Sequence, residues 1–143
     1  MLGDVLARGI GVVGIHASVA SLRDYPDWAA AAGAIWLPEA SFHPTLGTTR
    51  IRLGDAPLVA GLGDFDVRDE RYCRLQWVGA VTVVATHEGV GGVPEPAVWV
   101  REYANSRIAM DVLGHDVRSY GSPGHVALLQ RVARWAARGD ATG

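Results

Sequence analysis

The stretch GIGVVGIHAS, residues 9–18, decides the fold. Ile10 to Ile15 is a short apolar run bounded by glycine, the pattern of a strand buried on both faces. It runs directly into the small residues Ala17 and Ser18, so a turn there presents His16 at the strand's tip. In open α/β sheets, ligands gather outside the carboxyl ends of the strands. The spacing is similar to a nucleophile elbow, with histidine at the tip in place of serine or cysteine. An imidazole so placed can serve as base, acid or metal ligand near neutral pH, or simply bond to nearby backbone.

Working outward, Asp4 to Arg8 read as the last turn of a helix ending at Gly9. Pro26 and Asp27 open a helix over Trp28 to Ala32, with Asp27 near its cap and Gly33 closing it. Thr48 to Leu53 alternates as a half-exposed strand does, and Val81 to Ala85 is a second buried-strand candidate. Gly89 to Pro96 reads as a surface loop. Ala97 to Glu102 and Arg107 to Leu113 are strands joined by Tyr103 to Ser106, a connection short enough to require an antiparallel hairpin. Ser122 and Pro123 then start a helix whose apolar positions are Val126, Leu129, Val132, Ala133 and Trp135. This order predicts an α/β domain with a mixed sheet over residues 1–139, and a disordered tail at 140–143.

Further segments carry chemistry. Pro44 restrains His43 to extended backbone in Ser41-Phe42-His43-Pro44. In Asp69-Glu70-Arg71-Tyr72, a surface ion-pair cluster competes with Glu70 as a general base and with Asp69 and Tyr72 as binders of sugar hydroxyls. Leu113-Gly114-His115-Asp116 mirrors the first site: an apolar strand ends in glycine and then histidine, with Asp116 placed to orient it or to bind ligand. His16 and His115 share one sheet edge if their strands run parallel, and that convergence is the strongest physical argument for a site. His87, before the loose loop, and His125, in the first turn of the last helix, are expected to be solvated. No tight metal motif such as HExxH occurs, so neither a metal nor another cofactor is expected.

Composition narrows the partners. The net charge is −2 and all 13 basic residues are arginine, which leaves no cationic excess for nucleic acid. There is neither an apolar run long enough to span a membrane nor a signal-peptide pattern, so a cytoplasmic protein is expected. Cys73 has no partner for a disulfide and no base in its flanks. Five tryptophans include candidates for a sugar-stacking platform, with Trp99 and Trp135 expected in the core.

Taken in order, these segments resemble the ThuA-like family over nearly the whole chain. The matching text is GIGVVGIHAS at 9–18, Trp28 with Gly33, SFHP at 41–44, and the stretch from Asp55 to Phe65. It continues with DERY at 69–72, PAVWVREY at 96–103, RIAMDVLGHD at 107–116, and Trp135-Ala136. The resemblance implies a flavodoxin-like, class I glutamine amidotransferase-like α/β fold. It also implies a part in the metabolism of trehalose or related disaccharides and keto-sugars. Amidotransferase relatives carry cysteine at the elbow, whereas this chain has His16, so glutamine hydrolysis through a Cys-His-Glu triad is not implied. Two departures stand out. Ala104-Asn105-Ser106 replaces a glycine-bearing hairpin turn, which Asn105 can form in a left-handed conformation. The chain also starts just before the segment matching Ile10, without the family's N-terminal strand–helix units; either a truncated gene product or a homo-oligomer covering the exposed sheet edge is expected. Proton transfer on a small carbohydrate by His16, His43, Glu70 and His115 is the function expected, against a non-catalytic carbohydrate-binding module.

Overall fold

The computed structural model describes residues 1–22 and 24–139; the tail expected at 140–143 lies outside them. The elements are α1 (Leu2–Ala7), β1 (Val12–Ile15), α2 (Ser18–Ser21), α3 (Pro26–Ala32), β2 (Ala34–Ile35), β3 (Gly47–Leu53) and β4 (Phe65–Asp69). β5 (Gln76–Trp77), β6 (Thr82–Glu88), β7 (Pro94–Tyr103), β8 (Ser106–Asp111) and α4 (Pro123–Ala136) follow. One mixed six-stranded sheet has the order β1-β8-β7-β6-β3-β4, and β2 pairs with β5 in a second, two-stranded sheet. Parallel pairing joins β1 to β8, with Ile15 opposite Asp111; the other pairs of the large sheet are antiparallel. The mixed α/β sheet expected from the sequence is therefore present.

Each face of the sheet has its own core, and period-two alternation along the central strands supplies both. Ile108 and Met110 of β8, with Trp99 of β7, pack against Leu6, Val19, Trp28, Ala31 and Ala32. Ala109, Val98 and Val100 point the other way, against Leu128, Val132 and Ala136 of α4. Trp99 is fully buried, its indole N–H donating to the Ala32 carbonyl at 2.8 Å. Trp135 packs only half-buried against the opposite core.

Several local readings change. Of the run at residues 10–15, Val12–Ile15 forms an edge strand, since among the described residues β8 alone pairs with it, and Ile10 and Ile15 are exposed. The deep stripe of α4 is His125, Leu128, Val132 and Ala136, displaced from the expected one, with Val132 common to both. Tyr25 occupies the cap position of α3, and Asp27 lies in its first turn, near the cap as expected. The hairpin forms as expected, but the left-handed residue is Ala104 (φ 51°), not Asn105, whose side chain instead ties the turn to the Ala7 carbonyl. Strand β7 begins at Pro94, inside the expected loop.

Candidate functional site

The site forms where β1 and β8 end side by side, as their parallel pairing requires. The His16 N–H extends the ladder by donating to the Asp111 carbonyl at 2.7 Å. His16 itself is left-handed, with φ at 45°, a conformation that costs a non-glycine residue free energy. This backbone turn aims the imidazole across the sheet edge toward the segment after β4.

That segment brings the acid. In β4 the residues Phe65, Val67 and Asp69 face inward, so Asp69 is 1% exposed. Its carboxylate accepts three backbone N–H groups: Glu70 at 2.8 Å, Gly114 at 2.7 Å and His115 at 3.2 Å. Asp69 thus commits its carboxylate to the loop that carries His115. Gly114, at φ 106°, makes the turn possible; a Cβ there would sit 2.7 Å from the Tyr120 hydroxyl.

Glu70, one residue past the strand, is the hub. Its Oε2 lies 3.3 Å from His16 Nε2 and 3.3 Å from His115 Nδ1, and its Oε1 lies 3.6 Å from His43 Nδ1. His43 reaches it because Phe42 and Cys73 form an antiparallel bridge, with N–H···O distances of 3.2 and 2.8 Å. Ser41 braces the same contact by donating to the Arg74 carbonyl at 2.9 Å. The Glu70 side chain is mostly buried, whereas those of His43 and His115 are 41% and 39% exposed. The cluster therefore opens to solvent on the His43–His115 side.

Behind it, the Tyr72 hydroxyl lies 3.1 Å from His16 Nδ1, and its ring packs against Trp36 at 4.7 Å between centroids. Burial, then the charges of Glu70 and Asp69, push the phenol far above its ordinary pKa, so it keeps its proton. Burial also lowers the His16 pKa, against the opposing pull of Asp69 and Glu70. Trp36 stands 5.8 Å from the His43 ring and forms an aromatic flank that sequence reading named without singling out.

Asp116 does not orient His115. Its carboxylate accepts from the backbone N–H and guanidinium of Arg118, whose hydrogen bonds pull its pKa down to about 2. The expected solvation of His87 and His125 is also overturned: both are buried. His87 Nε2 donates to the Tyr72 carbonyl at 3.0 Å, fixing the segment that carries Glu70. His125 Nε2 lies 2.8 Å from Asp111 Oδ2, while Asp111 Oδ1 accepts the Leu113 N–H at 3.0 Å. Each dismissed histidine thus anchors one side of the site. The apolar spacing of α4 could have revealed His125, which precedes Leu128, Val132 and Ala136 on one stripe.

Among the described residues no helix is long and apolar enough to cross a membrane. In fold, the chain is similar to a protein described as ThuA-like from Parabacteroides merdae ATCC 43184. The TM-score is 0.87 at 23% identity, over 99% of this chain and 65% of that one. A second protein described as ThuA-like, from Bacteroides uniformis ATCC 8492, gives 0.71 at 18% identity over 98% and 65%. A cold-adapted β-galactosidase from Rahnella sp. R3 gives 0.64 at 13% identity over 94% of this chain and 20% of that one. The chain thus spans 65% of the length of the first two. A search of curated proteins found no match. The family described as ThuA, trehalose utilisation, matches residues 1–136, and the chain belongs to that family.

Proposed function

We propose that this ThuA protein performs proton-transfer chemistry on a small carbohydrate, a trehalose-type disaccharide or its keto form, in the cytoplasm. One observation carries the reading: the imidazoles of His16, His43 and His115 all converge on Glu70. The partly exposed His43 and His115 face the opening and exchange protons with a bound sugar, and Glu70 stabilises whichever imidazole is charged. Trp36, beside His43, offers a face on which a pyranose ring stacks. The family's description as trehalose utilisation supports the substrate class.

The test is calorimetric titration of the protein with trehalose, related disaccharides and their 3-keto forms, with turnover followed in parallel. His43→Ala and His115→Ala should each lower turnover by about 100-fold, the weight of general acid–base catalysis. Unchanged binding and turnover in both variants would remove the proposal. Tryptophan quenching by a sugar without any turnover would favour a binding module built on Trp36.

A further inference from the structure

We infer that His16 Nε2, His115 Nδ1 and Glu70 Oε2 form a binding site for a divalent transition-metal ion of zinc type. Four observations converge on it. The three donor atoms lie within 4.8 Å of one another. Glu70 Oε2 stands 3.3 Å from each of the two nitrogens. Donors of a tetrahedral zinc ion, bound at about 2.0–2.1 Å, are separated by about 3.3 Å. The widest separation in the trio is thus no more than 4.8 Å, and the His115 side chain, 39% exposed, stands on the solvent side of the cluster.

His16 Nε2 is the second observation. It is buried and makes no aligned hydrogen bond, although a carboxylate oxygen lies 3.3 Å away. A buried polar atom without a partner costs free energy, and a cation placed between nitrogen and carboxylate removes that cost.

The third is the support behind the ligands. The Tyr72 oxygen lies 3.1 Å from His16 Nδ1; in the tautomer that protonates Nδ1, this N–H donates to the phenol oxygen and Nε2 presents its lone pair to the cluster. A ligating histidine usually donates its other ring N–H in this way, which fixes the tautomer and the ring direction. Asp69 holds the His115 backbone by a similar outer contact.

The fourth concerns His43, whose Nδ1 donates to the Pro44 carbonyl at 3.1 Å and so is not available as a ligand. Three protein donors with an open position toward solvent is the arrangement of a catalytic metal centre, not a structural one. The inference deepens the sugar-active reading of the same site: with the ion bound, His16 and His115 become ligands and His43 is the imidazole left to move a proton. It stands or falls on metal binding, independently of any sugar.

The test strips the full chain with EDTA, titrates it with zinc chloride by calorimetry, and measures metal in gel-filtered protein by plasma mass spectrometry. The wild type should take up a single equivalent. Glu70→Gln and His16→Ala should each weaken zinc binding by roughly 100-fold, and Tyr72→Phe by about 10–100-fold through the lost outer hydrogen bond. His43→Ala should leave zinc affinity within a few-fold of wild type. Circular dichroism checks each variant; should His16→Ala fail to fold, Glu70→Gln and Tyr72→Phe decide the matter. Absence of saturable zinc binding by folded wild type overturns the inference. So does binding that persists unchanged in Glu70→Gln and Tyr72→Phe, which would mean an adventitious ion only. Loss of sugar turnover in His43→Ala with no zinc binding would keep the carbohydrate reading and discard the metal.

Discussion

Asp69→Asn tests how the site is held together. The wild-type carboxylate is almost fully buried and divides its oxygens, Oδ1 toward Glu70 N–H and His115 N–H, and Oδ2 toward Gly114 N–H. Asparagine has one acceptor oxygen, which keeps the most bonds when it takes the Oδ1 place. Its NH₂ group then faces the Gly114 N–H across the 2.7 Å that now spans a hydrogen bond. One charge-assisted bond is lost, the other two lose the charge, and two donors are forced together. A hydrogen bond to a charged group contributes about 1.5–3 kcal/mol, and an orphaned buried donor costs about 1–3 kcal/mol. A net loss of about 2–4 kcal/mol follows.

Urea unfolding followed by tryptophan fluorescence measures this. With a slope of about 2 kcal/mol/M, the middle of the range for small proteins in urea, the midpoint should fall by roughly 1–2 M. The His115 ring resonances should shift as well, because its backbone loses an anchor. Asp116→Asn is the control, since among the described residues that carboxylate bonds only the exposed Arg118, and its midpoint should not move. A midpoint for Asp69→Asn within about 0.3 M of wild type would refute the claim that Asp69 holds the His115 loop.

Other substitutions probe the fold around this centre. Ala104→Gly relieves a left-handed alanine at φ 51° and should raise stability by about 0.5–1 kcal/mol, or roughly 1–3 °C in Tm, by scanning calorimetry; a lower Tm contradicts it. Gly124→Ala improves helix propensity by about 1 kcal/mol, yet its Cβ would lie 2.4 Å from Phe65 Cβ and Cγ. Overpacking costs about 1–3 kcal/mol and should win, so a more stable variant in chemical denaturation would show that this contact gives way. Burial opposes the charged form of His125, but the hydrogen bond and charge of Asp111, aided by the Ser119 carbonyl and the Asp69 charge, raise its pKa; the Tyr120 and Phe65 rings enclose it. A raised folded pKa gives stability that is complete below the unfolded value of about 6.5 and is lost as pH rises through the folded one. His125→Gln should lower stability throughout and flatten that alkaline decline; an equally steep decline in unfolding experiments would show that the slope arises elsewhere.

The parts of the site legible in the sequence are those fixed by strand ends. A histidine follows the last apolar residue of β1 directly (Ile15-His16) and follows Leu113-Gly114 after β8, and a parallel pairing necessarily carries the two tips to one edge. The hairpin was legible for the same local reason, since four residues cannot make a parallel return. What stayed hidden depends on register between distant segments. Glu70 meets His43 through the Phe42–Cys73 bridge, which joins segments with no matching pattern to announce it.

Strand β4 hid for a different reason: Phe65-Asp66-Val67-Arg68-Asp69 alternates correctly but places an acid at the third inward position. Hydrophobic periodicity counts that acid as evidence against the strand, although an inward acid with backbone partners is a sign of a positioned loop. The buried His125 follows the same logic on the stripe of α4, and His87 does so opposite the fully buried Ile51 of β3. In each case the polar residue occupies the place that the period assigns to a hydrophobic one. His87 fixes the Tyr72 carbonyl, Asp69 fixes the His115 loop, and His125 with Asp111 fixes the exit of β8. Polar residues that break the apolar period on the inward face are therefore the ones that aim Glu70 and its imidazoles, and reading those breaks as support contacts would have led from the sequence to the site.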